Sequence, residues 1–112
     1  MKNSEIEKIL IRSCQQAHAA GRQIVRGAFG NENSKHCCAL TAFELIQFGA
    51  DKMDTGMNAS NYFNWNNNQE WAFINGFDNK DGEGVNNGYP AIYRLGQTVA
   101  NKLIACGILK TD

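Results

Sequence analysis

From Cys37 to Phe48 nearly every residue is apolar. Cys37, Cys38, Ala39, Leu40, Ala42, Phe43, Leu45, Ile46 and Phe48 are interrupted only by Thr41, Glu44 and Gln47. A helix that is apolar around most of its circumference belongs in the middle of a protein, so the rest of the chain must wrap around it. The spacing predicts this helix over 35–48, with Ser34 as its N-cap and Gly49 as its stop. A chain of 112 residues suffices to do this as a single globular domain, 1–112, with one core and no staples.

Two further segments carry helical periodicity. Ser4 and Glu7 have the spacing of a capping box, and Ile6, Ile9, Leu10, Cys14 and Ala17 then recur on one face up to Gly21, which predicts a helix over 4–20. Pro90 suits a first helical position, Ile92, Leu95, Val99, Leu103 and Cys106 form a stripe, and Gly107 ends it, which predicts a helix over 90–106. Gly96 lies inside that stripe at a cost of about 1 kcal/mol relative to Ala, which implies close approach to another element. Short helices are expected near 59–77, with Asn68 as a cap and Gly76 near an end. "RQIVRGAF", residues 22–29, reads as one arm of a minor β-hairpin over 22–30. The fold class is therefore mainly α, a single small helical domain with three principal helices. Its expected core is Ile6, Ile9, Leu10, Cys14, Cys38, Leu40, Phe43, Ile46, Trp71, Ile74, Leu95, Val99 and Leu103.

This order of pieces, an N-terminal helix, "RGAF", a helix opening "CCALTAF", "GFD" and a closing "YRLGQTVANKL", resembles small bacterial proteins of unknown function whose central helix begins Cys-Ala-Leu-Gly-Ala-Leu. The matching residues are Cys38, Ala39, Leu40, Thr41, Ala42 and Phe43. Thr41 stands where those proteins have glycine, and their Trp-Asn-Asp has no counterpart here. The resemblance implies a compact, mainly helical fold and transfers no catalytic residue.

Charge narrows the partners. Eleven basic and eleven acidic residues cancel, and no Lys/Arg cluster offers the phosphate neutralisation on which nucleic-acid binders depend. No window supplies the ~18 apolar residues of a membrane span. The N-terminus, "MKNSEIEKILIRSC", lacks the apolar core of a secretory signal, so a cytoplasmic location and reduced cysteines are expected.

Four patterns bear on chemistry. Cys37 and Cys38 sit at a helix start, where a thiolate is favoured, with His36 beside them. A nucleophile also needs a base and an orienting third group, and only His18 and His36 exist. Packing is the expected role, with Cys38 buried and Cys37 less so, and no catalytic residue is assigned. Cys14 and His18, one helical turn apart, could join Cys37 or Cys38 in a zinc site, but the paired Cys-x2-Cys spacing is missing. Asp78, Asn79, Asp81 and Glu83 suggest a calcium loop. Setting Gly82 at the turn glycine places Phe77 and Gly88 where carboxylates are required, so no metal or cofactor is assigned. The fourth pattern is positive: ten asparagines between 58 and 87 interleave with aromatics, the composition of a binding surface. The expected function is a small non-catalytic protein-binding or regulatory protein. Its partner is a protein, a second copy (homodimer) included, and its candidate partner-binding residues are Tyr62, Trp65, Asn66, Asn67, Asp78 and Tyr89. A Cys/His metal-binding protein or a small cysteine-dependent enzyme is the alternative.

Overall fold

The apolar run folds as a helix, α2 (Ala39–Phe48), in a computed structural model that describes residues 1–110. The other elements are α1 (Asn3–Ala19), β1 (Gln23–Ile24), β2 (His36–Cys37), a 3-10 turn (Ala50–Lys52), α3 (Met57–Phe63), α4 (Asn67–Phe77) and α5 (Pro90–Ala105). The mainly helical class and all three principal helices follow the periodicity.

The beginning of α2 corrects the expectation. Residues 35–38 are not helical: Cys38 is the N-cap, extended at φ −87° and ψ −178°, and the backbone before it is β2. Ser34 is a turn residue, since its hydroxyl accepts from Asn31 N (2.7 Å) and donates to Asn31 O (3.0 Å). The strand expected near 22–30 exists, but not as a hairpin arm. β1 pairs with β2 in parallel, Gln23 opposite His36 and Ile24 opposite Cys37, and Ile24 also forms an isolated parallel bridge with Leu109. A parallel partner has to come from farther along the chain, which residues 22–30 alone could not supply.

Two other caps differ. The first helix begins after Lys2 with no side-chain cap, so the Ser4–Glu7 box is not formed, and Glu7 instead pairs with Lys102 of α5. In α4 the cap is Asn66, not Asn68: its side chain accepts from Gln69 N (2.8 Å) while Gln69 returns a bond to Asn66 N (2.7 Å).

Ile6, Leu10, Cys14 and Ala17 of α1, which packs on α2, and Leu95, Val99 and Leu103 of α5, which packs on α1 and α4, belong to one core. A relay of rings runs through it, with centroid separations of 4.9 Å for Phe43–Phe63, 5.2 Å for Phe63–Trp65, 5.4 Å for Trp65–Phe73 and 6.0 Å for Phe73–Phe77. These spacings suit favourable aromatic contact. Two expected core residues are at the surface instead, Ile46 and Trp71, each 38% exposed. Ile46 lies about 200° around α2 from buried Glu44. Trp71 shares a helical stripe with the polar residues Asn67, Asn75 and Asp78. Ile9 is only half-buried.

The close approach expected of Gly96 is present, and Gly76 is its counterpart. A Cβ on Gly96 would fall 2.3 Å from Phe73 O, and one on Gly76 would fall 2.0 Å from Tyr93 O. Thus α4 and α5 meet backbone against backbone. Among the described residues no helix is long and apolar enough to cross a membrane.

Candidate functional site

The turn that leaves β1, the start of α2 and the end of α4 converge on an open trough of about 580 Å³. Phe29, Leu40, Trp71, Ile74 and Phe77 give it an apolar lining, and Arg26, Asp78 and Lys80 supply its charges. Its size falls within the roughly 300–1,000 Å³ usual for binding clefts.

Each wall has a local cause. The carbonyl of Phe29 accepts from Cys38 N (3.1 Å) and from the Thr41 hydroxyl, which fixes the Phe29 backbone against the cap of α2. The Phe29 ring then meets Trp71 edge-on, at 6.2 Å between centroids and 78° between planes. Arg26 Nε donates to Phe77 O (2.8 Å), and Gly27 N donates to Asp78 Oδ1 (3.0 Å). These two bonds tie the segment after β1 to the C-terminal end of α4. Gly27 sits at φ +79°, in the left-handed region that favours glycine.

Of the candidate partner-binding residues only Asp78 lines this trough; Cys38 and Asn79, weighed above as metal ligands, line it as well. Trp65 is 9% exposed and belongs to the ring relay, so its candidacy as a surface anchor is corrected: a tryptophan with an aromatic on either side of it was needed for packing. Tyr62 is 45% exposed on α3, against Phe43 (5.2 Å) and Phe48 (6.2 Å). Asn66 and Tyr89 do come together, Asn66 Nδ2 donating to Tyr89 Oη at 3.1 Å, while Asn67 is exposed beside them. Trp71, Phe29 and Lys80 were missed. The i, i+4 spacing of Trp71 with Asn67 and Asn75 was the available signal.

The cysteines divide three to one. Cys14, Cys37 and Cys38 are buried and Cys106 is exposed, all four as free thiols. Cys37, expected to be the less buried of the adjacent pair, is 0% exposed and Cys38 is 7%, because the side chain of Cys37 follows the buried Ile24 of the neighbouring strand inward. Burial pushes the Cys37 thiol up to about 12, with the nearby Cys38 adding to the rise. Burial, then the neighbouring Cys37 and Cys38, raises Cys14 well above its ordinary value. Cys38 is raised by burial against the opposing pull of bonds from Thr41 and Leu40. A raised thiol holds little thiolate at neutral pH and reacts slowly. A disulfide reagent should therefore titrate Cys106 quickly in the folded protein and the other three only after unfolding. Fast titration of all four in native buffer would overturn this assignment.

His18 is exposed and His36 half-buried. Among the described residues no group of three or more His, Cys, Asp or Glu side chains is placed to hold a metal ion. In the acidic loop Asp78 is engaged by Gly27 N, and Asp81 and Glu83 are exposed.

One further titratable group was missed. Glu44 is fully buried, its Oε1 accepting from Asp54 N (2.8 Å) and Gly56 N (3.4 Å) and its Oε2 from Ala59 N (3.1 Å). Burial raises its carboxyl above the ordinary value, opposed by these backbone bonds. Both oxygens accept from backbone N–H groups, so Glu44 organises the 53–59 segment. Its signal was being the one charge in the apolar run.

No family model matches the chain, and comparison with the curated proteins and with the solved structures found no similar one.

Proposed function

We propose that this is a non-catalytic binding protein of the cytoplasm that captures a protein partner through the trough at Trp71. The observation that carries the reading is a tryptophan 38% exposed in an aromatic-lined cleft whose backbone is tied down on both sides. Tryptophan is over-represented among the residues that dominate binding energy, because it buries a large area at low entropic cost. The Asn/aromatic surface expected from sequence thereby narrows to its Trp71–Asp78 portion, and Tyr62, Asn66, Asn67 and Tyr89 lie outside the trough.

The test is affinity capture with purified wild type, Trp71→Ala and Tyr62→Ala, with folding checked by thermal melts. Trp71→Ala should weaken the specific partner by about 2 kcal/mol, the size of an interface hot spot, and Tyr62→Ala should leave it bound. Sedimentation of the wild type alone identifies a second copy as that partner. Partner lists that do not change with Trp71→Ala would sink the proposal.

A further inference from the structure

We infer that the trough accepts an acidic peptide segment bearing an aromatic side chain, the ring seated beside Phe29 and Trp71 and a neighbouring carboxylate paired with Lys80. This rests on the trough being the partner site and names the chemistry of what enters it.

Three observations converge. The first is shape. Small-molecule sites enclose roughly 70–90% of their ligand, whereas this trough is open along one side. An open cleft suits an anchoring side chain whose parent chain covers the rest.

The second is the lining. Phe29 and Trp71 stand edge to face at 6.2 Å above a floor that includes Ile74 and Phe77. The pair offers both an edge and a face to an incoming ring, the two arrangements that aromatic contacts prefer.

The third is charge. Arg26, Asp78 and Lys80 line the trough with a net charge of +1 (two cations, one anion). Asp78 already accepts from Gly27 N, and Arg26 already donates to Phe77 O. Lys80 is held only through its backbone, N to Asn75 O at 2.9 Å and O to the Tyr93 hydroxyl. No hydrogen bond or ion pair engages its ammonium among the described residues. Asp81 and Glu83, next along the chain, are not part of the lining. An anchored main chain thus presents an unengaged cation at the rim of an aromatic cleft, and the complement is a ring next to a carboxylate.

The test is fluorescence anisotropy with a labelled peptide, Gly-Asp-Phe-Asp-Glu-Gly, blocked at both ends. Its companions are a version with Phe replaced by Ala, a version with the acids replaced by their amides, and free 3-phenylpropionate as competitor. The acidic aromatic peptide should bind saturably, and each altered peptide should bind more weakly. Lys80→Glu, an exposed substitution, should weaken the parent peptide about tenfold at low salt, since attraction becomes repulsion. Lys8→Glu on α1 serves as the charge-matched control and should leave binding unchanged. Trp71→Ala should abolish binding. Equal affinity for the amide version, or indifference to Lys80→Glu, would overturn the charge assignment. A competitor as tight as the peptide would make this a small-molecule site and overturn the inference. If no peptide binds while Trp71→Ala still loses its captured partner, the inference fails and the proposed function stands.

Discussion

Gly76→Ala should destabilise the protein by about 2 kcal/mol or more even though it improves local helix propensity. In an exposed helix interior the same change would gain about 1 kcal/mol. Here the added carbon would sit 2.0 Å from Tyr93 O and 2.9 Å from Tyr93 C, both backbone atoms that cannot rotate aside. Overpacking a tight contact typically costs about 1–3 kcal/mol, and α4 and α5 would have to separate along their crossing to relieve it. Gly96→Ala should act similarly, with a Cβ 2.3 Å from Phe73 O and 2.7 Å from Phe77 N. For a domain of this size the melting temperature should fall by about 10 °C. Asn101→Ala, exposed on α5, is the matched control and should stay within about 0.5 kcal/mol of wild type. If either glycine variant melts at or above wild type, the backbone seat is not as described.

Glu44→Ala should cost about 4 kcal/mol, a large share of the roughly 5–15 kcal/mol that holds a domain of this kind together. Removing the carboxylate leaves the N–H groups of Asp54, Gly56 and Ala59 without their acceptor, in a site closed to water. An unpaired buried donor costs about 1–3 kcal/mol, and the cavity adds to it. Glu44→Gln keeps the shape and one acceptor oxygen but turns an amide N–H₂ towards the remaining donors, so a loss of about 2 kcal/mol is expected. Stability should also respond to pH through this residue. Its folded carboxyl lies above the ordinary value of 4.5 because of burial, so the folded state holds the proton more tightly than the unfolded chain does. That contribution is complete below about 4.5 and is lost as pH rises through the folded value. The margin of wild type over Glu44→Gln in denaturant melts should therefore be widest in acid and narrow towards neutrality. A margin that widens instead would show that the backbone bonds outweigh burial.

Periodicity reached far into this fold because helices announce themselves locally. The stripes on α1 and α5 predicted those elements to within a residue or two, and the awkward Gly96 correctly marked a close contact. What escaped has a common origin in long-range pairing. Nothing local to residues 22–30 names residues 36–37 or Leu109 as neighbours of β1. The extended backbone at β2 in turn removes residues 35–38 from a helix that Ser34 as cap and the apolar run from Cys37 predict. The site was less legible for the opposite reason. Trp65 stands between Asn64 and Asn66 while Trp71 stands between Glu70 and Ala72, so the asparagine-rich setting pointed to the ring that faces inward. The stripe shared by Asn67, Trp71, Asn75 and Asp78 did carry that information. Glu44 was visible as a lone charge in the core, but its meaning depended on three backbone N–H groups that only the folded loop brings to it.

The glycine seat between α4 and α5 also bears on how quickly a partner can arrive. Gly76 precedes by one residue Phe77, and by two Asp78, both walls of the trough. With no side chain between the helices at that point, α4 cannot slide or roll by rotamer changes alone. The trough is therefore preformed, and association should proceed at the encounter-controlled rate of rigid surfaces, with no slower opening step ahead of it. Discrimination between partners then resides in how long each one stays, so variants at Trp71 or Phe29 should act on the dissociation rate.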